Sequence, residues 1–82
     1  MTHSNYRVVK QRSDTYSDYV LREVYYNSKW KIIDWSGPIR LYGFNAQDLS
    51  EEVDKAKQAF TMPTLVLYYD EDTGRETLVE EQ

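Results

Sequence analysis

Residues 45–60, with the sequence NAQDLSEEVDKAKQAF, decide the fold of this chain. Apolar residues recur there at helical spacing, and the positions between them are polar or charged. Asn45 is a favourable N-cap, Asp48 places a negative charge in the first turn, and Pro63 prevents continuation. The pattern predicts one amphipathic helix of about four turns. Its apolar stripe consists of Ala46, Leu49, Val53, Ala56 and Phe60.

The residues on either side of this helix have the composition of strands. Residues 6–12, 18–26 and 31–36 precede the helix, and the apolar run 64–69 follows it. Pro38 ends the third strand because proline cannot donate a hydrogen bond to a sheet. Residues 77–79 either form a short edge strand or stay loose. We predict an α+β fold in the order β-β-β-α-β(-β), with an antiparallel sheet of three to five strands covered on one face by the helix.

Length and composition place the chain among small soluble domains. Its 82 residues predict a single domain with a thin core, in which residues 1–5 form a disordered tail. The chain has no cysteine, so neither disulfides nor thiolate metal sites can stabilise it. No apolar run has the length of a membrane span or the form of a signal peptide. A cytoplasmic location without membrane contact is the resulting expectation.

Both sides of the hairpin at residues 19–36 carry large apolar groups, although one helix can cover only one side. Glu23 and Asp34 are too short to reach solvent from beneath a helix, whereas Arg22 and Lys31 can extend past one. We therefore predict that Glu23 and Asp34 lie on the open side. On this basis the helix packs on Val20, Val24, Tyr26, Ile33, Trp35, Leu65 and Leu67. The open side is then an aromatic surface made of Tyr19, Tyr25, Trp30 and Ile32, together with Leu21.

Several short motifs resemble those of a family of small uncharacterised bacterial proteins. They are REVYY at 22–26, WS at 35–36, Pro38, YG at 42–43, and MP at 62–63 after the helix. The resemblance covers residues 19–67, and Trp30 stands where that family has a turn glycine. The family implies no activity. The element order is also similar to the HicB-type antitoxin fold, a partial RNase H-like sheet, which bears on function only by analogy.

Catalysis and metal binding are not indicated by the residues. Nucleophilic catalysis needs an activated side chain beside a base, and the only histidine is His3 in the predicted tail. Asp70, Asp72 and Glu76 surround Gly74, but an EF-hand places its glycine and its bidentate glutamate further along the loop. We predict a protein that is not an enzyme, with no catalytic residues, no metal, no cofactor and no small-molecule substrate.

The formal charge of −4 is unevenly divided along the chain. Residues 1–40 hold seven basic and four acidic residues, and residues 41–82 hold three basic and ten acidic residues. Attraction between the two halves within one fold explains this division, and an interaction surface is the alternative.

Three binding functions remain open. The favoured one is contact with a protein partner, or with a second copy of the chain, through Tyr19, Tyr25, Trp30 and Ile32. The second is single-stranded nucleic-acid binding on the same aromatic residues, with phosphates held by Lys10, Arg12, Arg22, Lys29 and Lys31. The third is an acidic inhibitor, similar to an antitoxin, that blocks a basic partner.

Overall fold

The computed structural model describes residues 3–81 and shows an α+β fold. The elements follow the predicted order, and the last strand does form. They are β1 (His3–Arg12), β2 (Ser17–Tyr26), β3 (Ile32–Pro38), α1 (Ala46–Ala59), β4 (Leu65–Tyr69) and β5 (Glu76–Glu80). His3, Ser4 and Asn5 belong to β1 and pair with β2, which corrects the predicted tail at these positions. Residues 1 and 2 lie outside the described residues.

The five strands form one curled sheet in the order β3-β2-β1-β4-β5. Every neighbouring pair is antiparallel except β1 and β4, which are parallel. The sheet is therefore mostly antiparallel, as predicted, with one parallel pair. The parallel pair is possible because the connection from β3 to β4 is long and contains the helix. Such a connection can return the chain to the end of the sheet from which a parallel strand starts.

The helix begins and ends close to the predicted residues. The side-chain oxygen of Asn45 accepts a hydrogen bond from the backbone N–H of Asp48 at 2.8 Å, which satisfies one of the free donors of the first turn. Phe60 is the C-cap, and Pro63 lies beyond it. The local signals of the sequence therefore suffice to set the helix bounds.

A bulge in the β2–β3 hairpin exchanges the predicted roles of two isoleucines. Tyr26 pairs with Ile32 and Tyr25 pairs with Asp34, so Ile33 is left over between the two pairs. Ile33 is 52% exposed, whereas Ile32 packs against the core. The prediction that Ile33 is buried and Ile32 is open is wrong for this reason.

The most buried residues lie on one face of the sheet, which we call the buried face. Val9, Val24 and Leu65 are fully buried, and the curled sheet surrounds them. The residues packed around the cluster all come from strands: Tyr26, Leu67, Val20, Ile32, Trp35 and Leu78. Of the hairpin residues predicted to be buried, Val24 and Tyr26 are buried and Val20 and Trp35 are half-buried against the cluster, whereas Ile33 is exposed.

The helix lies on the opposite face, which we call the helix face. Tyr6 and Val9 are three residues apart on β1, so their side chains point to opposite faces of the sheet. The Tyr6 hydroxyl contacts Glu52 of the helix, and the ammonium group of Lys55 lies over the Tyr6 ring. No residue of α1 belongs to the buried cluster. The helix residues that are buried, Ala56 and Ala59, are small. The prediction that the helical stripe packs on Val20, Val24, Trp35, Leu65 and Leu67 is therefore wrong.

Hydrogen bonds explain why the helix can lie over an acidic side chain. Glu23 is half-buried beside the helix, and its carboxylate accepts from the hydroxyl of Ser4 at 3.0 Å and from that of Tyr25 at 3.1 Å. Arg22 is half-buried as well. Its guanidinium donates to the carbonyl of Ser36 at 2.8 Å and to the side-chain oxygen of Gln11 at 2.7 Å.

Candidate protein-binding surface

The helix covers the helix face only in part and leaves an apolar groove beside its C-terminal end. The groove has a volume of about 260 Å³. Phe60 stands at its edge with 72% of its surface exposed, and Tyr19 with 62%. We call it the helix-face groove, and its lining consists of Val8, Tyr19, Val20, Leu21 and Phe60.

The chain positions these residues through strand pairing and the helix cap. Val8 pairs directly with Leu21 in the β1–β2 ladder, so their side chains lie side by side on one face. Tyr19 is on the same strand, two residues before Leu21, so its side chain lies on the same face. Phe60 is the C-cap of α1, and its backbone N–H donates to the carbonyl of Lys57 at 3.1 Å. The groove is thus built on regular elements rather than on a loop.

A set of polar contacts next to this groove holds the helix on the sheet. The Tyr6 hydroxyl donates to the Glu52 carboxylate at 2.5 Å, and Lys55 forms an ion pair with Glu52 at 3.6 Å. The hydrogen bond to the anionic Glu52, with burial as a second cause, raises the pKa of Tyr6 to about 12. Nearby, the hydrogen bond to Glu23 raises the pKa of Tyr25.

The four residues predicted to form one aromatic surface lie on the helix face, on the buried face and in the turn between β2 and β3. Tyr19 is in the helix-face groove, and Tyr25 is further along the same strand, bonded to Glu23. Ile32 packs on the buried face. Trp30 is in the turn between β2 and β3. The prediction of a single surface fails because the bulge and the turn rotate the second half of the hairpin.

Trp30 has a backbone conformation that side chains rarely adopt. Its φ is +60°, in the left-handed region that favours glycine. The indole is 61% exposed, and its ring is stacked on His3 at a centroid distance of 4.1 Å. Position 30 therefore has the backbone geometry that favours glycine, although it carries the bulkiest side chain.

The five predicted phosphate-binding residues do not form one patch. Lys29 and Lys31 flank Trp30, near the His3 end of β1, whereas Lys10 and Arg12 are at its opposite end. The His3 end and the Arg12 end of β1 are about 30 Å apart at the usual rise per strand residue. Arg22 is held inside the fold by the hydrogen bonds described above.

The acidic turn between β4 and β5 uses its carboxylates within the fold. Asp70 accepts from the backbone N–H of Asp72 at 2.9 Å, and Glu71 accepts from the hydroxyls of Ser13 and Thr15 at 2.9 and 2.7 Å. Gly74 supplies the positive φ of +72° that the turn requires. Within residues 3–81 no group of three or more His, Asp or Glu is arranged to hold a metal ion.

Sequence reasoning missed Phe60 as a surface residue. It continues the apolar stripe of the helix, and for that reason was expected to be buried. The signal that identifies it is its position after the last helical turn, three residues before Pro63, where the chain already leaves the helix. Val8 and Leu21 give no such signal, because their place on the helix face depends on long-range pairing.

No protein-family model, curated protein or solved structure matches this chain. Across the described part of the chain, no helix combines the length and the apolar character needed to cross a membrane.

Proposed function

We propose that this chain is a small non-enzymatic protein-binding domain that self-associates through the helix-face groove. The observation that carries this proposal is the position of Phe60, which is left 72% exposed beside an apolar hollow. Large apolar groups grouped on the surface of a small soluble domain are typical of protein contacts. The proposal replaces the aromatic surface that the sequence predicted, and it keeps Tyr19 from that set.

A second copy of the chain is the occupant that fits this surface. A two-fold contact requires one patch that is complementary to itself. The helix-face groove has both parts, a projecting ring at Phe60 and an apolar hollow at Val8 and Leu21. In a two-fold dimer the ring of each copy enters the hollow of the other. The contact thus buries two Phe60 rings and two Tyr19 rings, each contributing roughly 1.5–3 kcal/mol when fully buried.

The mass of the protein in solution tests this proposal. Size-exclusion chromatography with light scattering should give a dimer for the parent at high concentration and a monomer on dilution. Phe60→Ser and Tyr19→Ser should shift the equilibrium to monomer, because each removes a large apolar contact at the centre of the patch. Tyr16→Ser is the matched control, since Tyr16 is 48% exposed and lies in the turn before β2, outside the groove.

Two outcomes would contradict self-association through this groove. A parent that stays monomeric at millimolar concentration would exclude the second copy and leave a different protein as the occupant. A dimer that survives both substitutions would place the contact on an edge strand, β3 or β5, whose outer backbone groups are unpaired within the sheet.

Nucleic-acid binding is the second candidate function, and the conformation of Trp30 favours it. One face of the indole is stacked on His3, and the side chain is largely exposed between two lysines at the hairpin turn. An exposed ring of this kind offers a surface for a nucleic-acid base, and Lys29 and Lys31 are placed to meet the flanking phosphates. The acidic net charge and the scattered cations weigh against it.

Titration of a labelled single strand at two salt concentrations tests this candidate. Binding through phosphates must weaken steeply as salt rises, because counterions are released on contact. Trp30→Gly should abolish the binding while keeping the turn conformation, since glycine accepts the positive φ without strain. Absence of binding at low salt, or binding that Trp30→Gly leaves unchanged, would exclude the hairpin turn as a nucleic-acid site.

A further inference from the structure

A second aromatic surface lies in the segment between β3 and α1, away from the helix-face groove. Tyr42 is 63% exposed and Phe44 is 87% exposed, the largest exposure among the large apolar side chains of residues 3–81. Their rings meet edge to face at a centroid distance of 5.4 Å, so each ring fixes the orientation of the other. The pair is not covered by the sheet or by the helix, and neither Tyr42 nor Phe44 belongs to the buried cluster.

Gly43 holds this aromatic pair against the first turn of the helix. A Cβ atom at this position would lie 2.8 Å from the Cα of Leu49, a distance that real Cβ contacts essentially never show. Only glycine therefore allows the segment to approach the helix so closely. The result is a cavity of about 250 Å³ between the rings and the helix. Its remaining lining is acidic and consists of Asp48, Glu51 and Glu52.

Two of the three carboxylates that line this cavity, those of Asp48 and Glu51, have no basic partner among residues 3–81, whereas Glu52 is paired with Lys55. No lysine or arginine lines the cavity, and Lys55–Glu52 is the only ion pair found among residues 3–81. Glu51 accepts from the side chain of Gln47 at 3.4 Å, a neutral donor. The N-terminal end of the helix supplies only about half of a positive charge, which does not balance the two carboxylates of Asp48 and Glu51.

We propose that this aromatic–acidic cavity binds an arginine side chain presented by a basic segment of a partner protein. The planar guanidinium stacks on aromatic rings and is less strongly hydrated than the ammonium of lysine, so it fits a cavity that joins rings and carboxylates. Tyr42 and Phe44 supply the ring faces, and Asp48 and Glu51 accept the N–H groups. This assigns a cationic partner to a specific site and goes beyond the self-association proposed above.

Binding of a labelled hexa-arginine peptide tests the inference. Fluorescence anisotropy at low protein concentration, where the chain is a monomer, should show saturable binding to the parent. Phe44→Ser and Tyr42→Ser should each weaken it at least about fivefold through loss of the ring contact. Asp48→Asn with Glu51→Gln should weaken it further, and hexalysine should bind less tightly than hexa-arginine.

Charge-matched and ring-matched controls separate this site from bulk attraction between an acidic protein and a basic peptide. Glu80→Gln with Glu81→Gln removes the same number of charges at the end of β5, and Tyr16→Ser removes an exposed ring elsewhere. Both controls should keep the affinity within about twofold. Equal losses in the two double charge variants, or unchanged binding by Phe44→Ser and Tyr42→Ser, would overturn the proposal, because the peptide would then be held by net charge alone.

Discussion

The two faces of the sheet are built in different ways. The buried face holds a cluster of apolar strand residues in which Val9, Val24 and Leu65 are completely removed from solvent. The helix face is covered by a single helix that approaches through the small residues Ala56 and Ala59. The first face is therefore a core, and the second is a half-covered surface with room beside the helix.

This difference separates stability from binding. Burial of apolar area is the main stabilising term in a domain of this size, so the buried face should account for most of the folding free energy. The helix face keeps Tyr19 and Phe60 exposed and holds its helix with polar contacts at Tyr6. Its residues are thus available to a partner at little cost to the fold.

The largest expected effect is a contrast between two leucines. Leu65→Ala on the buried face should lower the free energy of unfolding by about 2–5 kcal/mol, because it leaves a cavity in a fully buried site. Leu49→Ala on the helix should cost less than about 1 kcal/mol, since Leu49 is 41% exposed. Urea denaturation gives both values from the shift of the midpoint. Equal losses would show that the helix contributes as much to the core as the buried face.

The two neighbouring tyrosines of β2 give a smaller contrast of the same kind. The hydroxyl of Tyr26 accepts from the Arg7 guanidinium at 2.9 Å and donates to the side-chain oxygen of Asn5 at 2.9 Å. Tyr26→Phe should cost about 1–3 kcal/mol, because it leaves both partners with an unmet hydrogen bond in a buried place. Tyr25→Phe removes one half-buried hydrogen bond to Glu23, which keeps the Ser4 hydroxyl as a donor, and should lower the urea midpoint less than Tyr26→Phe does.

These two substitutions also test the assignment of faces. A large loss in Tyr25→Phe together with none in Tyr26→Phe would mean that the two sides of β2 are reversed. The buried Arg7 makes Tyr26→Phe a sensitive test. Arg7 is 6% exposed and also donates to the carbonyl of Pro63 at 2.7 Å. A buried charge of this kind is stable only when its hydrogen-bond partners are in place.

The sequence predicts the elements of this fold well because their signals are local. The cap at Asn45, the helical stripe and the β-branched strands each depend on a few adjacent residues, and the positive φ at Gly74 follows from turn composition. The choice of face is not local. It depends on Ser4 and Tyr25 meeting the Glu23 carboxylate, and Ser4 is brought there only by strand pairing. Glu23 is only half-buried there, so the helix leaves its carboxylate room that local sequence does not reveal.

The candidate surface could be predicted only in part for the same reason. Tyr19 was expected to be exposed, and it is. Ile32 was expected beside it but lies on the other face, because a bulge at Ile33 changes the register of β3. Phe60 was assigned to the core because the periodicity of a helix does not show where its last residue points after the helix ends.

The smallest expected effect concerns pH and the polar contact that holds the helix. A tyrosine in the unfolded chain ionises near its ordinary pKa of about 10, whereas the hydrogen bond to Glu52 raises the pKa of Tyr6 to about 12. The contact therefore contributes fully below about pH 10 and loses its contribution as the pH rises toward 12, because the unfolded state releases its proton first.

In urea denaturation from about pH 9 to about pH 12, the stability advantage of the parent over Tyr6→Phe should shrink. The raised pKa values of Tyr25 and Tyr68 cancel in this comparison, since both proteins contain them. An advantage that stays constant over this range would show that Glu52 does not accept the Tyr6 proton, and that packing alone holds the helix on its face.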